Sequence, residues 1–144
     1  MGEKAPLGGL TYTVVETTWK TQLGQTFNIR VPQRRFLEIT LSVTNGGGKE
    51  LSIPLMQIED SNGKMYLESD DGTGVDNWFG LLRNLKPAET QQGRLLFDVP
   101  LTSYRLKVTD AGEPGAEQFS YITIPLRLDV DQPIRGPDIG TGLK

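Results

Sequence analysis

Residues 35–50, "RFLEITLSVTNGGGKE", decide the fold class. Leu37, Ile39, Leu41 and Val43 alternate with Glu38, Thr40, Ser42 and Thr44. A period of two puts one set of side chains in a core and the other in water, which is how a half-buried strand reads. The "NGGGK" that follows supplies residues tolerant of positive φ, as a tight reversal demands. The stretch predicts a strand running into a turn.

The same grammar recurs on both sides of it. Residues 10–19, "LTYTVVETTW", are rich in β-branched and aromatic residues and predict a first strand. "ELSIPLMQIED" (50–60) predicts a strand whose phase slips near Pro54, with Ile53 and Leu55 on one face and Met56 and Ile58 on the other. A bulge at the proline accounts for such a slip. "KMYLE" (64–68) returns after the turn "DSNG". "GRLLFDVP" (93–100) aligns Leu95, Phe97 and Val99, and "SYRLKVTD" (103–110) aligns Tyr104, Leu106 and Val108. "YITIPLRLDV" (121–130) aligns Ile122, Ile124, Leu126, Leu128 and Val130 as a long final strand. Only "DNWFGLLRNLKP" (76–87) hints at helix, for at most a turn or two before Pro87. About seven strands without long helices predict an all-β antiparallel sandwich, a small closed barrel being the alternative. The domain spans 10–130. Residues 1–9 read as an extension, suggestive of a start after a removed leader, and 131–144 as a loosely ordered Pro/Gly-rich tail.

Composition excludes whole classes of chemistry. At 144 residues the chain is one domain's length, enough to bury a core without staples. It has no histidine, which removes Ser-His and Cys-His catalysis and histidine-ligated zinc. It has no cysteine, which removes thiol chemistry and iron–sulfur clusters. The net charge of −3 argues against nucleic acid as a partner. No apolar run reaches the ~20 residues of a membrane helix. Residues 59–77 hold six carboxylates and one lysine, so the acidity belongs to one local stretch.

Several of these pieces, in order, resemble a known family. "FLEITLSVTNGGGKELSI", "IEDSNGKMY", "LKPAETQQGRLLFDVP" and "RLKVTD" are similar to the bacterial telokin-like, immunoglobulin-like domain family of unknown function. That family occurs in exported proteins and lipoproteins and is related to a secreted mycobacterial antigen. Asn45, Asp60, Gly63, Lys64, Tyr66, Pro87, Glu89, Gly93, Phe97, Val99 and Pro100 stand in its pattern, whereas Ala88 replaces its usual glycine. The resemblance covers residues 10–130. It implies an immunoglobulin-like sandwich, an extracytoplasmic setting (secreted or lipid-anchored at the bacterial envelope) and no catalytic residues.

Each chemical motif competes with a plainer reading. "GGGKE" lacks the glycine and hydroxyl of a phosphate loop, having Val43 and Glu50 instead, and reads as a turn. A calcium loop begun at Asp60 puts Lys64 in the cage and Gly63 two places early. "ESDDGTGVDN" (68–77) keeps Glu68, Asp70, Asp71 and Asp76 as oxygen donors for calcium bound in another way, against a solvated loop as the plainer reading. Trp78 and Phe79, adjacent in an extended segment, face opposite ways. One belongs to the core and the other is free to stack on a sugar or anchor a protein, against the plainer reading that both plug one open end of the sandwich. Arg30, Arg34 and Arg35 either solvate a loop or meet an anionic partner. The expectation is a non-enzymatic domain with no cofactor and no metal, binding an unknown protein at the envelope. The alternative is a carbohydrate-binding module. The candidate site is Glu68, Asp70, Asp71, Asp76, Trp78 and Phe79.

Overall fold

The computed structural model describes residues 3–25, 27–113 and 115–127, and among these it has ten strands and no helix. They are β1 (Glu3–Leu7), β2 (Leu10–Lys20), β3 (Phe36–Asn45), β4 (Leu51–Ser52), β5 (Gln57–Glu59), β6 (Met65–Leu67), β7 (Asn84–Leu85), β8 (Thr90–Asp98), β9 (Tyr104–Thr109) and β10 (Phe119–Ile124). One sheet has the order β1-β2-β3-β8 and the other β10-β9-β5-β6, while β4 and β7 form a small ribbon. All pairings between these strands are antiparallel. The apolar half of the alternation lies in the core as its period requires. Glu38 and Thr40, expected in water, are buried as well, Glu38 lying within 3.3 Å of Lys20 and 4.0 Å of Arg94. Leu37, Ile39, Leu41 and Val43 of β3 are buried with Leu95 and Phe97 of β8, and they pack against Ile58, Leu106, Val108, Ile122 and Ile124 of the facing sheet. Each such side chain contributes about 1.5–3 kcal/mol of transfer free energy.

Four local expectations change. Residues 3–7, read as part of an extension, form β1. Its Ala5 is buried, and Pro6 is tolerated because an edge strand need not donate from every nitrogen. The slip at Pro54 is a break rather than a bulge: β4 joins β7 and β5 joins the second sheet, leaving Pro54 exposed between buried Ile53 and Met56. The bulge lies instead between Val14 and Glu16, where register shifts and Val15 turns to solvent. The helical hint at 76–87 yields no helix, since Asn77 (φ 56) and Gly80 (φ 85) hold left-handed backbone and only β7 forms there. The last strand ends at Ile124 and Leu126 is exposed, while Leu128, Val130 and the expected tail lie outside the described residues.

Polar anchors set the corners. The Tyr104 hydroxyl donates to the Pro100 carbonyl at 2.6 Å, a tyrosine corner of the kind immunoglobulin-like sandwiches use. Buried Asn45 donates to the Lys49 and Leu85 carbonyls, both at 2.9 Å, and accepts from the Gly47 amide at 2.9 Å. Its backbone also receives the Ala88 amide at 2.7 Å, which docks the Pro87 turn onto the end of β3.

Candidate functional site

The acidic stretch divides at β6. Its first half is a hairpin turn in which Asp60 Oδ1 accepts from the Asn62 and Lys64 amides, each at 2.9 Å, and Gly63 takes φ 85. Glu68, at the junction, is not in the loop at all. Its Oε1 accepts from Arg83 Nη1 at 2.8 Å and from the Met56 amide at 3.0 Å, and its Oε2 pairs with Arg83 Nη2. Arg83 Nε donates to the Gly80 carbonyl at 2.7 Å, and its guanidinium lies over the Phe79 ring at 5.2 Å. Both side chains are fully buried, so this carboxylate is committed to a bidentate pair rather than facing solvent. Arg83 went unrecognised in the sequence reading. The only hint was a lone charge between Leu82 and Leu85.

The loop from 69 to 79 crosses the free edge of β8. Ser69 N donates to Leu96 O at 2.8 Å, Phe79 N to Arg94 O at 2.9 Å, and Arg94 N to Asn77 O at 2.8 Å. The Arg94 side chain adds a bond to Asp76 O at 2.8 Å. The extended segment sends its two aromatics to opposite sides. Phe79 packs on the main core where Gly93 leaves room: a Cβ at Gly93 would come 2.8 Å from the Phe79 Cα. Trp78 lies half-buried over Gly72, where a Cβ would fall 1.9 Å from the indole Cδ2. Its Nε1 is buried without a hydrogen-bond partner.

A second loop holds the acidic one in place. Leu23 and Arg30 exchange backbone hydrogen bonds at 2.8 and 2.7 Å, making a small arm over the first sheet. Arg30 Nη1 donates to the carbonyls of Asp71 (2.7 Å) and Thr73 (3.0 Å), and its guanidinium lies over Phe36 at 5.3 Å. Beneath these loops, Leu23, Phe36 and Leu96 form a small outer core with Val75. Asp71 Oδ1 accepts from the Thr73 hydroxyl at 2.6 Å and the Thr73 amide at 3.0 Å. These hydrogen bonds, with a smaller contribution from Arg30, hold its carboxyl below the ordinary 3.8. The folded form is therefore favoured by this group above that value, and the contribution is lost as pH falls through the depressed one. Asp70 and Asp76 are exposed. Among the described residues no three carboxylates gather as a metal cage would require. Arg30 thus satisfies the loop's own carbonyls, while Arg34 stacks over Tyr66 at 5.8 Å.

Another surface was invisible in the sequence. Register places Tyr121, Lys107, Gln57 and Leu67 in one outward row across the second sheet, with Thr123, Arg105, Glu59 and Met65 in the next. Arg105 lies over the Tyr121 ring and Lys107 over Phe119, each at 4.1 Å, and Arg105 pairs with Glu59. Tyr121, Phe119 and Leu67 are exposed. Two open grooves of about 460 and 450 Å³ sit at opposite ends of this sheet, and neither is lined by Trp78 or the acidic loop.

Residues 1–117 match the family described as a domain of unknown function (DUF4352). No curated protein matches the chain. Among solved structures it is similar to the yjhA protein of Bacillus subtilis, with 14% identity and a TM-score of 0.66 over 86% of this chain and 97% of that one. It is also similar to a functionally unknown protein of Listeria monocytogenes, with 11% identity and a TM-score of 0.61 over 87% and 82%. A third, the candidate lipoprotein ycdA of Bacillus subtilis, is 13% identical with a TM-score of 0.56 over 83% of this chain and 38% of that one. At such identities the likeness speaks for the fold.

Proposed function

Because the chain belongs to the DUF4352 family, whose function is unknown, we propose that it is a non-enzymatic binding domain of the bacterial envelope, secreted or lipid-anchored, that holds a protein partner. The observation that carries this is the outward face of the second sheet. Exposed Tyr121 and Phe119 are each capped by a cation, Arg105 and Lys107, and flanked by Leu67. Aromatic and arginine side chains are the residue types that dominate protein interfaces. Glu59 balances Arg105, which leaves Lys107 to choose a partner presenting carboxylates. The lack of histidine and cysteine supports the non-enzymatic reading. The likeness to a candidate lipoprotein, and the resemblance to exported domains, support the envelope placement.

The test is a pull-down from the native envelope with the wild-type chain and a Tyr121→Ser/Lys107→Glu variant. A protein retained by the first, lost by the second and released at high salt is the expected result. Retention indifferent to both substitutions would overturn the assignment of this face. The second reading, a glycan platform on Trp78, is favoured only by that ring's partial exposure beside exposed Asp76, and Gly72 already covers one of its faces. Binding on a glycan array that Trp78→Ala abolishes would put it first.

A further inference from the structure

The most exposed large apolar side chain among the described residues is not on either sheet. Phe27 is 94% exposed, and Ile29 (49%) and Val31 (69%) follow it at alternate positions of the arm that leads back from the Leu23–Arg30 bridge. Phe27 stands at the tip of a turn closed by the Asn28 amide on the Gln25 carbonyl at 2.7 Å, with Ile29 and Val31 two and four residues behind it, so the three put an apolar stripe on one short loop. Such a stripe costs solubility and is not needed by the core, which takes only Leu23 and Phe36 from this region. The arm is also held rather than trailing. Its two backbone bonds at 2.8 and 2.7 Å, and the Arg30 bonds to Asp71 and Thr73, fix its base. Along residues 20–37 the chain carries Lys20, Arg30, Arg34 and Arg35 and no carboxylate, although its net charge is −3.

We propose that the Phe27–Ile29–Val31 stripe is a membrane-docking finger that enters the interfacial region of an anionic lipid surface. Two features select a bilayer over an acidic protein. The apolar side chains project outward on an arm, so they need a deformable apolar phase rather than a flat matching surface. The cations flank them in sequence, where headgroup phosphates lie when apolar side chains are seated just below. Three carboxylates meet this segment, and each is already engaged. Asp71 lies 3.9 Å from Arg30, Glu38 pairs with Lys20 at 3.3 Å, and Asp98 accepts the Gln33 and Arg34 amides at 2.8 and 2.9 Å, which leaves the Arg34 and Arg35 guanidinium groups to meet headgroups. The inference shares with the proposed function only the envelope placement. It uses a different surface and stands or falls without the sheet face.

The experiment is co-sedimentation of the full chain with vesicles of phosphatidylglycerol and phosphatidylcholine in equal parts, beside vesicles of phosphatidylcholine alone. The expected result is binding to the anionic vesicles, weakened by salt. Phe27→Ser/Ile29→Ser should lower that binding at least about tenfold, since two apolar side chains lose their burial. Arg34→Gln/Arg35→Gln should lower it several-fold while leaving the apolar stripe intact. Because Phe27 and Ile29 make no part of the core, the serine variant should keep the wild-type melting temperature, which separates lost docking from lost folding. No sedimentation with anionic vesicles, equal sedimentation with both vesicle types, or binding unchanged in the serine variant would overturn the proposal. Capture of an acidic polypeptide such as polyglutamate without vesicle binding would overturn it in favour of a protein partner.

Discussion

Ala88 shows how one backbone torsion is fixed from outside. It stands where the resembled pattern has glycine, yet it keeps glycine's conformation, with φ 69. The reason is its neighbours. Its amide is tied to Asn45 O at 2.7 Å, and Glu89 folds back so that Oε1 accepts from the Lys86 amide at 2.8 Å. A left-handed alanine costs about 1–2 kcal/mol, part of which a glycine returns as entropy in the unfolded chain. Ala88→Gly should therefore stabilise the domain by about 0.5–1 kcal/mol, seen as a higher urea midpoint at unchanged slope. The importance of Asn45, Pro87 and Glu89 was legible, because polar and turn-forming residues between apolar runs mark reversals. Their convergence on one knot was not, since about 40 residues separate the partners in sequence.

The loop from 69 to 79 behaves as an element although it has no regular structure. It covers the edge of β8, supplies Phe79 to the core and lays Trp78 on Gly72. Gly72→Ala should push the indole away, because no relaxation of a few tenths of an ångström opens a gap of 1.9 Å. A loss of about 1–3 kcal/mol follows from overpacking. In a Trp19→Phe background the Trp78 emission should shift to the red as the ring meets water, and an unshifted spectrum would refute the stacking. Strands with period-two alternation were readable from the chain alone, as β3 and β9 demonstrate, whereas the run Leu95–Leu96–Phe97 of β8 hides that Leu96 faces the outer core. β1 was not, because "EKAPL" has no alternation and contains a proline. The candidate site was readable only in part: the opposite facing of Trp78 and Phe79 follows from extended geometry, whereas the burial of Glu68 depends on Arg83, 15 residues away.

Across the whole molecule, Glu68 and Arg83 form the one fully buried ion pair among the described residues, and they join the loop region to the strand break at Met56. Removing a single partner leaves an uncompensated buried charge. Glu68→Leu or Arg83→Met alone should each cost about 3–5 kcal/mol, while the double replacement should be close to neutral. A urea double-mutant cycle measures this, and additive losses would show that the two side chains act independently. The sheet topology has a consequence in time. β3 finds its partner β8, and β5 finds β9, only across some 50 residues of chain, as Leu41↔Gly93 and Gln57↔Lys107 show. Such high contact order makes folding slow. The first sheet cannot close until β8 has left the ribosome or the export channel, and the second not until β9 has. During that interval the apolar strands have no cover, so the growing chain is a natural client for a chaperone until β9 and β10 arrive.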